Sequence, residues 1–188
     1  MRVPLLETAM ELTTCIERDR ATREFTDEPV SEGDIRAMID AARRSGSGKN
    51  RQPWSFVVVQ DADRRADLAS LGKYATPLRE APLAIVFLMD VRDENVDLNY
   101  DVFDCGRAFQ NLKLAATDRG LGSVPQGIHR EKAANLLAVP ESKTVLIALA
   151  VGHPADEDET IEGADKSDVL EDMGRHAVDD LVHWETHA

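Results

Sequence analysis

The chain has 188 residues, 43% of them hydrophobic, with a formal net charge of −13 and a pI near 4.8. That length suits a single domain with a substantial core spanning residues 1–188 and is short for two. So large a negative charge argues against a basic face that could track nucleic-acid phosphates or an anionic membrane, and it fits either a solvated acidic surface or adaptation to high salt.

Leu5 to Glu17 can form a first helix, with Leu5, Leu6, Ala9, Leu12 and Ile16 near one stripe. It ends in Arg18-Asp19-Arg20-Ala21-Thr22-Arg23-Glu24-Phe25, where Arg20 and Arg23 bracket two small residues. That pattern would let an anion approach the backbone, and it equally suits surface arginines beside Asp19 and Glu24. After Asp27-Glu28-Pro29, Ser31 is placed to cap a helix, with Asp34 near the positive end. Ile35, Met38, Ile39 and Ala42 follow at helical spacing.

This second helix leads into Ser45-Gly-Ser-Gly-Lys-Asn-Arg-Gln-Pro-Trp54, a loop with the composition of a ligand site. Its small residues allow close approach of the backbone. Asn50 and Gln52 each carry an amide that can donate and accept. Pro53 is expected to push Gln52 into an extended conformation and release the chain as a strand. Gly48-Lys49 is not a nucleotide phosphate loop, because Arg43 and Asn50 stand where Gly and Ser or Thr are required and the order is helix to strand.

Phe56 to Gln60 reads as a strand buried on both faces, and Asp61 opens a short helix with Leu68 and Leu71 inward. Gly72 to Pro82 is ambiguous. Leu83 to Met89 is a second apolar strand closed by Asp90, and Asp93 to Asp97 an acidic loop. From Asn99 to Arg119 runs the longest helical pattern, in which Val102, Phe103, Phe109, Leu112, Leu114, Ala115 and Ala116 cover much of the circumference. Such a helix is expected to lie centrally or against another subunit, with Gly106 hinting at a tight contact.

Gly120 to Gly127 alone reads as a helix end and turn. Arg130 to Leu137 suits a short helix and Val145 to Val151 a third strand, stopped by Gly152-His153-Pro154. Residues 155–172 form an acidic surface excursion. Val178, Leu181, Val182 and Trp184 then return to the spacing of an amphipathic helix. Strands separated by helical segments indicate a sheet covered by helices.

Cys15 and Cys105 lie far apart and outside any C-x-x-C arrangement, so they read as small core residues. No export signal or membrane span is visible, and the expectation is a cytoplasmic protein. The histidines are scattered, with no metal-binding spacing. There is no hydrolytic motif, no dinucleotide fingerprint and no candidate catalytic side chain. Separated arginines, small loops and amides suit a protein whose cofactor carries the reaction.

Four blocks in order, Arg20-Ala-Thr-Arg23-x-Phe25, Ser47-x-x-Asn50-x-Gln52-Pro53-Trp54, Gly120-Leu-Gly-Ser123 after a long helix, and Gly174-Arg175 before Leu181-Val182-His183, resemble the FMN-dependent nitroreductase family. The resemblance implies an α+β fold, a central mixed or antiparallel sheet flanked by helices. It implies an intertwined homodimer with non-covalent FMN at the subunit interface. By position, Arg20, Ala21, Arg23 and Arg175 would hold the phosphate, and Ser47, Asn50 and Gln52 would meet the ring and ribityl chain. Val124, Pro125, Gln126 and Gly127 would lie over the ring from the partner subunit. Ala21 and Gly46 stand where members often have Ser and Pro. The activity implied is electron transfer from NAD(P)H through FMN to a nitroaromatic or quinone. The alternatives are reductive dehalogenation, flavin fragmentation, or non-enzymatic flavin binding with the acidic segment as a contact surface.

Overall fold

The computed structural model describes residues 10–91, 98–155 and 175–187. Helices α1 (Leu12–Arg18) and α2 (Glu32–Arg43) lead through a short 3-10 turn (Gly48–Asn50) into strand β1 (Trp54–Val59). Next come α3 (Ala62–Ser70), α4 (Pro77–Glu80), β2 (Leu83–Asp90) and the long α5 (Leu98–Thr117). The chain continues through β3 (Gly122–Gln126), α6 (Arg130–Leu136) and β4 (Lys143–Gly152), and α7 (Val178–Leu181) lies near its end. The strands form one antiparallel sheet in the order β1-β2-β4-β3, an α+β fold.

The central strands explain their own apolar runs. Side chains alternate along a strand, so Leu83, Ile85, Phe87 and Met89 of β2 face a core shared with Met38 of α2 and Leu112 of α5. Ala84, Val86 and Leu88 face the opposite core, with Leu68 of α3, Leu78 of α4 and Ala133 of α6. Phe87 is fully buried and makes edge-to-face contacts with Phe56 and Phe109, at centroid distances of 4.6 and 5.0 Å. Helix α2 starts as its sequence dictates: Ser31 Oγ accepts from the Asp34 amide at 3.0 Å.

Several expectations need correction. Strand β1 is an edge strand whose two faces are covered as expected, Trp54 and Phe56 against one core and Val57 and Val59 against the other, except at Val58, which is 38% exposed. Gly120 to Gly127 is more than a turn. Gly120, at φ 69, ends α5 with its amide on Thr117 O and the Leu121 amide on Ala116 O, and the next five residues form β3. Pro125 is tolerated there because β3 is the outermost strand of the sheet.

Gly106 makes no tight contact among the described residues, since a methyl group built on it would meet none of them within 4 Å. Gln52 is not extended but left-handed, at φ 49, with its amide held by Ser47 Oγ at 2.9 Å. The closing helix is a single turn, and every residue from Arg175 to His187 is exposed. Of the first expected helix, Leu12 to Glu17 is confirmed. Leu5 to Ala9, Asp93 to Asp97 and residues 156–172 lie outside the described residues.

Both cysteines are buried thiols, as expected; Cys15 Sγ donates to Leu114 O at 3.1 Å. Desolvation, then the nearby Asp101, Asp104 and Asp90 carboxylates, push the Cys105 thiol from 9.0 up to about 12. The neutral thiol is therefore favoured in the folded state. Below pH 9 this has no effect on stability. Between pH 9 and about 12 the unfolded thiol ionises while the folded one does not, so stability falls as pH rises.

Urea unfolding at about pH 8 and about pH 10.5 should show a smaller alkaline loss in Cys105→Ala than in the parent. Phe87→Ala should cost about 3–5 kcal/mol in the same assay, by cavity formation and loss of both ring contacts.

Candidate functional site

The arginine block lies beyond β3. Ala21 pairs with Ser123 in a parallel bridge, and the Thr22 amide donates to Ser123 O at 3.2 Å. Close approach is possible because residue 122 is glycine: a Cβ there would stand 2.4 Å from Thr22 Oγ1 and 2.6 Å from Thr22 Cβ.

The block is tied to α5 by Asp19, whose carboxylate takes Lys113 Nζ at 2.9 Å and Gln110 Nε2 at 2.8 Å. Asp19 is therefore a buried anchor and not a surface neighbour of the arginines. Arg20 is half-buried, whereas Arg23 is exposed with Nη1 3.4 Å from Ala21 O. Arg18, Arg20, Thr22 and the Gly120-Leu121-Gly122 turn help to line a cavity of about 50 Å³.

The loop after α2 is built differently. The Asn50 amide donates to Ser47 O and the Arg51 amide to Gly48 O. Ser47 Oγ already accepts from Gln52 N, so its own proton remains to be donated elsewhere. Lys49, Asn50 and Gln52 all have positive φ, near 50°, and the side chains of all three are exposed.

Three inward contacts anchor this loop to α5. Asp104 Oδ2 accepts from Gly48 N at 2.8 Å, Arg51 Nε donates to Asp101 Oδ1 at 3.2 Å, and Asn111 Nδ2 donates to Ser45 Oγ at 2.8 Å. Asp101 and Asp104 are not among the sequence-based candidates. Their signal was available: two acids one helical turn apart within a largely apolar helix must either face solvent or find partners.

The segment 124–127 leaves β3 towards α6. Val124 is a core residue, Gln126 is buried, and Pro125 and Gly127 are exposed. Only Pro125 and Gly127 of this segment therefore present an open surface. The structure brings Arg20, Ala21 and Arg23 beside β3 within one chain, whereas the resemblance implies that residues 124–127 reach the arginines' FMN from the partner subunit.

It does not bring them to Ser47, Asn50 and Gln52. Those three are held from Asp104, and the arginine block is held from Lys113, nine residues further along α5. That interval is about 13 Å along the axis and about half a turn around it. The two groups also adjoin opposite edges of the sheet, about 14 Å apart across three strand spacings. Arg175 is exposed in the tail. A larger groove of about 550 Å³ on α2, lined by Arg36, Ile39, Asp40 and Arg43 among others, contains none of these residues.

Among the described residues no group of three or more His, Cys, Asp or Glu is placed to hold a metal, and no helix is long and apolar enough to cross a membrane.

Residues 16–76 and 64–153 match the profile of the Nitroreductase family. A protein of Archaeoglobus fulgidus, provisionally named NADH dehydrogenase/NAD(P)H nitroreductase, is 33% identical over 152 residues, covering 78% of this chain and 87% of that protein. An FMN reductase [NAD(P)H] of Bacillus subtilis is 29% identical over 157 residues, 73% of this chain and 63% of the relative. The solved structure of the NADPH:FMN oxidoreductase of Vibrio harveyi in complex with NAD+ superposes with a TM-score of 0.78 at 25% identity, covering 94% of this chain and 77% of that one.

The Gly122–Thr22 contact is open to direct test. Gly122→Ala should destabilise the protein by about 1–3 kcal/mol in urea unfolding, because the methyl group overlaps Thr22. Adding Thr22→Gly should recover part of that loss.

Proposed function

The chain belongs to the nitroreductase family, and from that membership we propose that it is an NAD(P)H-dependent flavin oxidoreductase. In this reading it passes electrons through non-covalently bound FMN to an electron-poor small molecule such as a nitroaromatic or quinone. The whole chain acts as one FMN-binding domain in the cytoplasm.

One observation carries the reading: the chain presents two donor sets of different chemistry at opposite ends and faces of α5. The first is cationic. Arg20 and Arg23, supplemented by Arg175 from the tail, suit a phosphate dianion, for which each charge-assisted hydrogen bond contributes about 1.5–3 kcal/mol. The second is uncharged. The Ser47 hydroxyl and the exposed Asn50 and Gln52 amides suit the neutral polar edges of a flavin ring and ribityl chain. Ala21 and Pro125 add no side-chain donor, and Val124 and Gln126 position the exposed Gly127 amide for a ring edge. The donor chemistry fits FMN.

A two-fold pairing of chains brings the loop of one copy to the arginines of the other, so that each of two equivalent sites takes both sets. Exposed apolar side chains support such a homodimer. Tyr100, Val102 and Phe103 on α5, Leu12 and Ile16 on α1, and Val178, Leu181 and Trp184 in the tail are all uncovered in the single chain. The open side of Gly106 on α5 would let a partner backbone come close.

Bound FMN supplies the hydride acceptance and the onward electron transfer. This chain's residues bind and orient it: the arginines fix the phosphate end, and the loop and the Gly127 amide hold the ring edges. The same fixed donors stabilise the negative charge that accumulates on reduction.

Reconstitution with FMN, followed by anaerobic titration with NADH and NADPH and then an acceptor panel, tests the reading. The bound flavin should bleach with a nicotinamide and recover its absorbance with a nitroaromatic or quinone. Protein that binds no FMN overturns it. Arg23→Ala and Arg175→Ala should each weaken FMN binding about 10- to 100-fold while leaving the urea midpoint unchanged, because both residues are exposed and carry no core packing.

A further inference from the structure

Resting on the flavin reading of the 46–52 loop, we propose that Asp104 is the positioning residue that holds this loop in its ligand-contacting form, with Asp101 supporting it through Arg51. The loop adopts a costly conformation. Lys49, Asn50 and Gln52 carry φ values of 54, 56 and 49, the left-handed region that side-chain-bearing residues avoid. Its internal hydrogen bonds, Asn50 N to Ser47 O, Arg51 N to Gly48 O and Gln52 N to Ser47 Oγ, close the turn on itself but do not attach it to the body of the protein.

Attachment comes from α5. The carboxylate of Asp104, a residue 4% exposed, accepts the Gly48 amide at 2.8 Å, and its other oxygen lies 3.6 Å from Arg107 Nη1. One turn earlier, Asp101, 1% exposed, takes Arg51 Nε at 3.2 Å. The Gly48 amide and the Arg51 side chain are thereby directed at α5 while the Asn50 and Gln52 side chains are exposed. The two carboxylates decide which loop residues face a ligand without touching that ligand themselves.

Three variants separate the tether from charge and from folding. Asp104→Ala removes the acceptor, whereas Asp104→Asn keeps a side-chain oxygen for the Gly48 amide. Gly48→Pro removes the donor from the other side and is compatible with the extended Ser47 before it, at φ −142 and ψ 151, while its added Cβ would stand 3.2 Å from Arg51 Nη2, so the Arg51 side chain must shift with it.

In fluorescence titration with FMN, Asp104→Ala and Gly48→Pro should each weaken binding about 10- to 100-fold, with Asp104→Asn close to the parent. Hydrogen exchange of the Gly48 amide in ligand-free protein should be fast in Asp104→Ala and slow in the parent and Asp104→Asn. Parent-like FMN affinity in both Asp104→Ala and Gly48→Pro overturns the proposal. So does a loss in Asp104→Ala that Asn fails to recover, because that would mark missing charge and not a missing acceptor. Should Asp104→Ala not fold, Gly48→Pro and Asp104→Asn decide by the same criteria. If the parent itself binds no FMN, the flavin reading fails. The tether is then judged by Gly48 exchange in ligand-free parent, Asp104→Asn and, where it folds, Asp104→Ala, or otherwise by exchange of the Gln52 amide in Gly48→Pro; exchange unchanged by removing acceptor or donor overturns it.

Discussion

Two buried carboxylates on α5 set the arrangement on which the candidate site depends. A helix normally turns its apolar residues inward, yet at the start of α5 Asp101 and Asp104 are enclosed while Val102 and Phe103 are exposed, Phe103 by 64%. An enclosed carboxylate is tolerable only when hydrogen-bonded or paired. Their partners include Gly48 N–H and the Arg51 guanidinium, both from the loop that follows α2, and Arg107 of α5 beside Asp104. The polarity inversion therefore has two consequences: the acids fasten a loop, and the displaced apolar residues form a face that the chain itself leaves exposed.

Further along α5 the same logic recurs with the charges exchanged. Lys113 is largely enclosed and takes the Asp19 carboxylate, and Asp19 is the residue immediately before Arg20. One rod thus fixes the separation of the two donor sets, because both are tied to it by buried polar contacts and a helix resists bending between them. A site that needs both sets cannot be completed by small adjustments of loops. In the proposed pairing, this spacing is what assigns the loop of one copy to the arginines of the other.

Much of the fold was legible in the sequence because it follows from local rules. Ser31 caps α2, Leu83 to Met89 is continuously apolar because β2 is covered on both faces, and Gly120 ends α5. What was not legible depended on neighbours distant in sequence. The apolar run of β1 looks like that of β2, and only strand order makes it an edge. Strand β3 carries glycine and proline, residues that usually interrupt strands, and it exists because Gly122 lets Thr22 approach and β4 supplies the ladder. The chemical types at the candidate site, arginines in one block and amides in another, could be read from the resemblance. Their division between two ends of α5 could not, since nothing local encodes a distance.

Gln52 shows how such a constraint overrides a sound local rule. Pro53 disfavours the right-handed helical region for the residue before it, which is correctly read as a push towards extended backbone. The left-handed region is the other exit, and it ordinarily costs a residue with a side chain more than the extended one. Ser47 Oγ changes that balance by accepting the Gln52 amide, and the next residue, Gly48, is itself held by Asp104. In the proposed tether, the carboxylate on α5 therefore bears on the conformation of residue 52 through Gly48 and Ser47. The same chain of contacts leaves the Ser47 proton and the Asn50 and Gln52 amides on the outer side. A strongly charged residue such as Lys49, conspicuous in the sequence, stands beside this arrangement without entering any of the contacts that produce it.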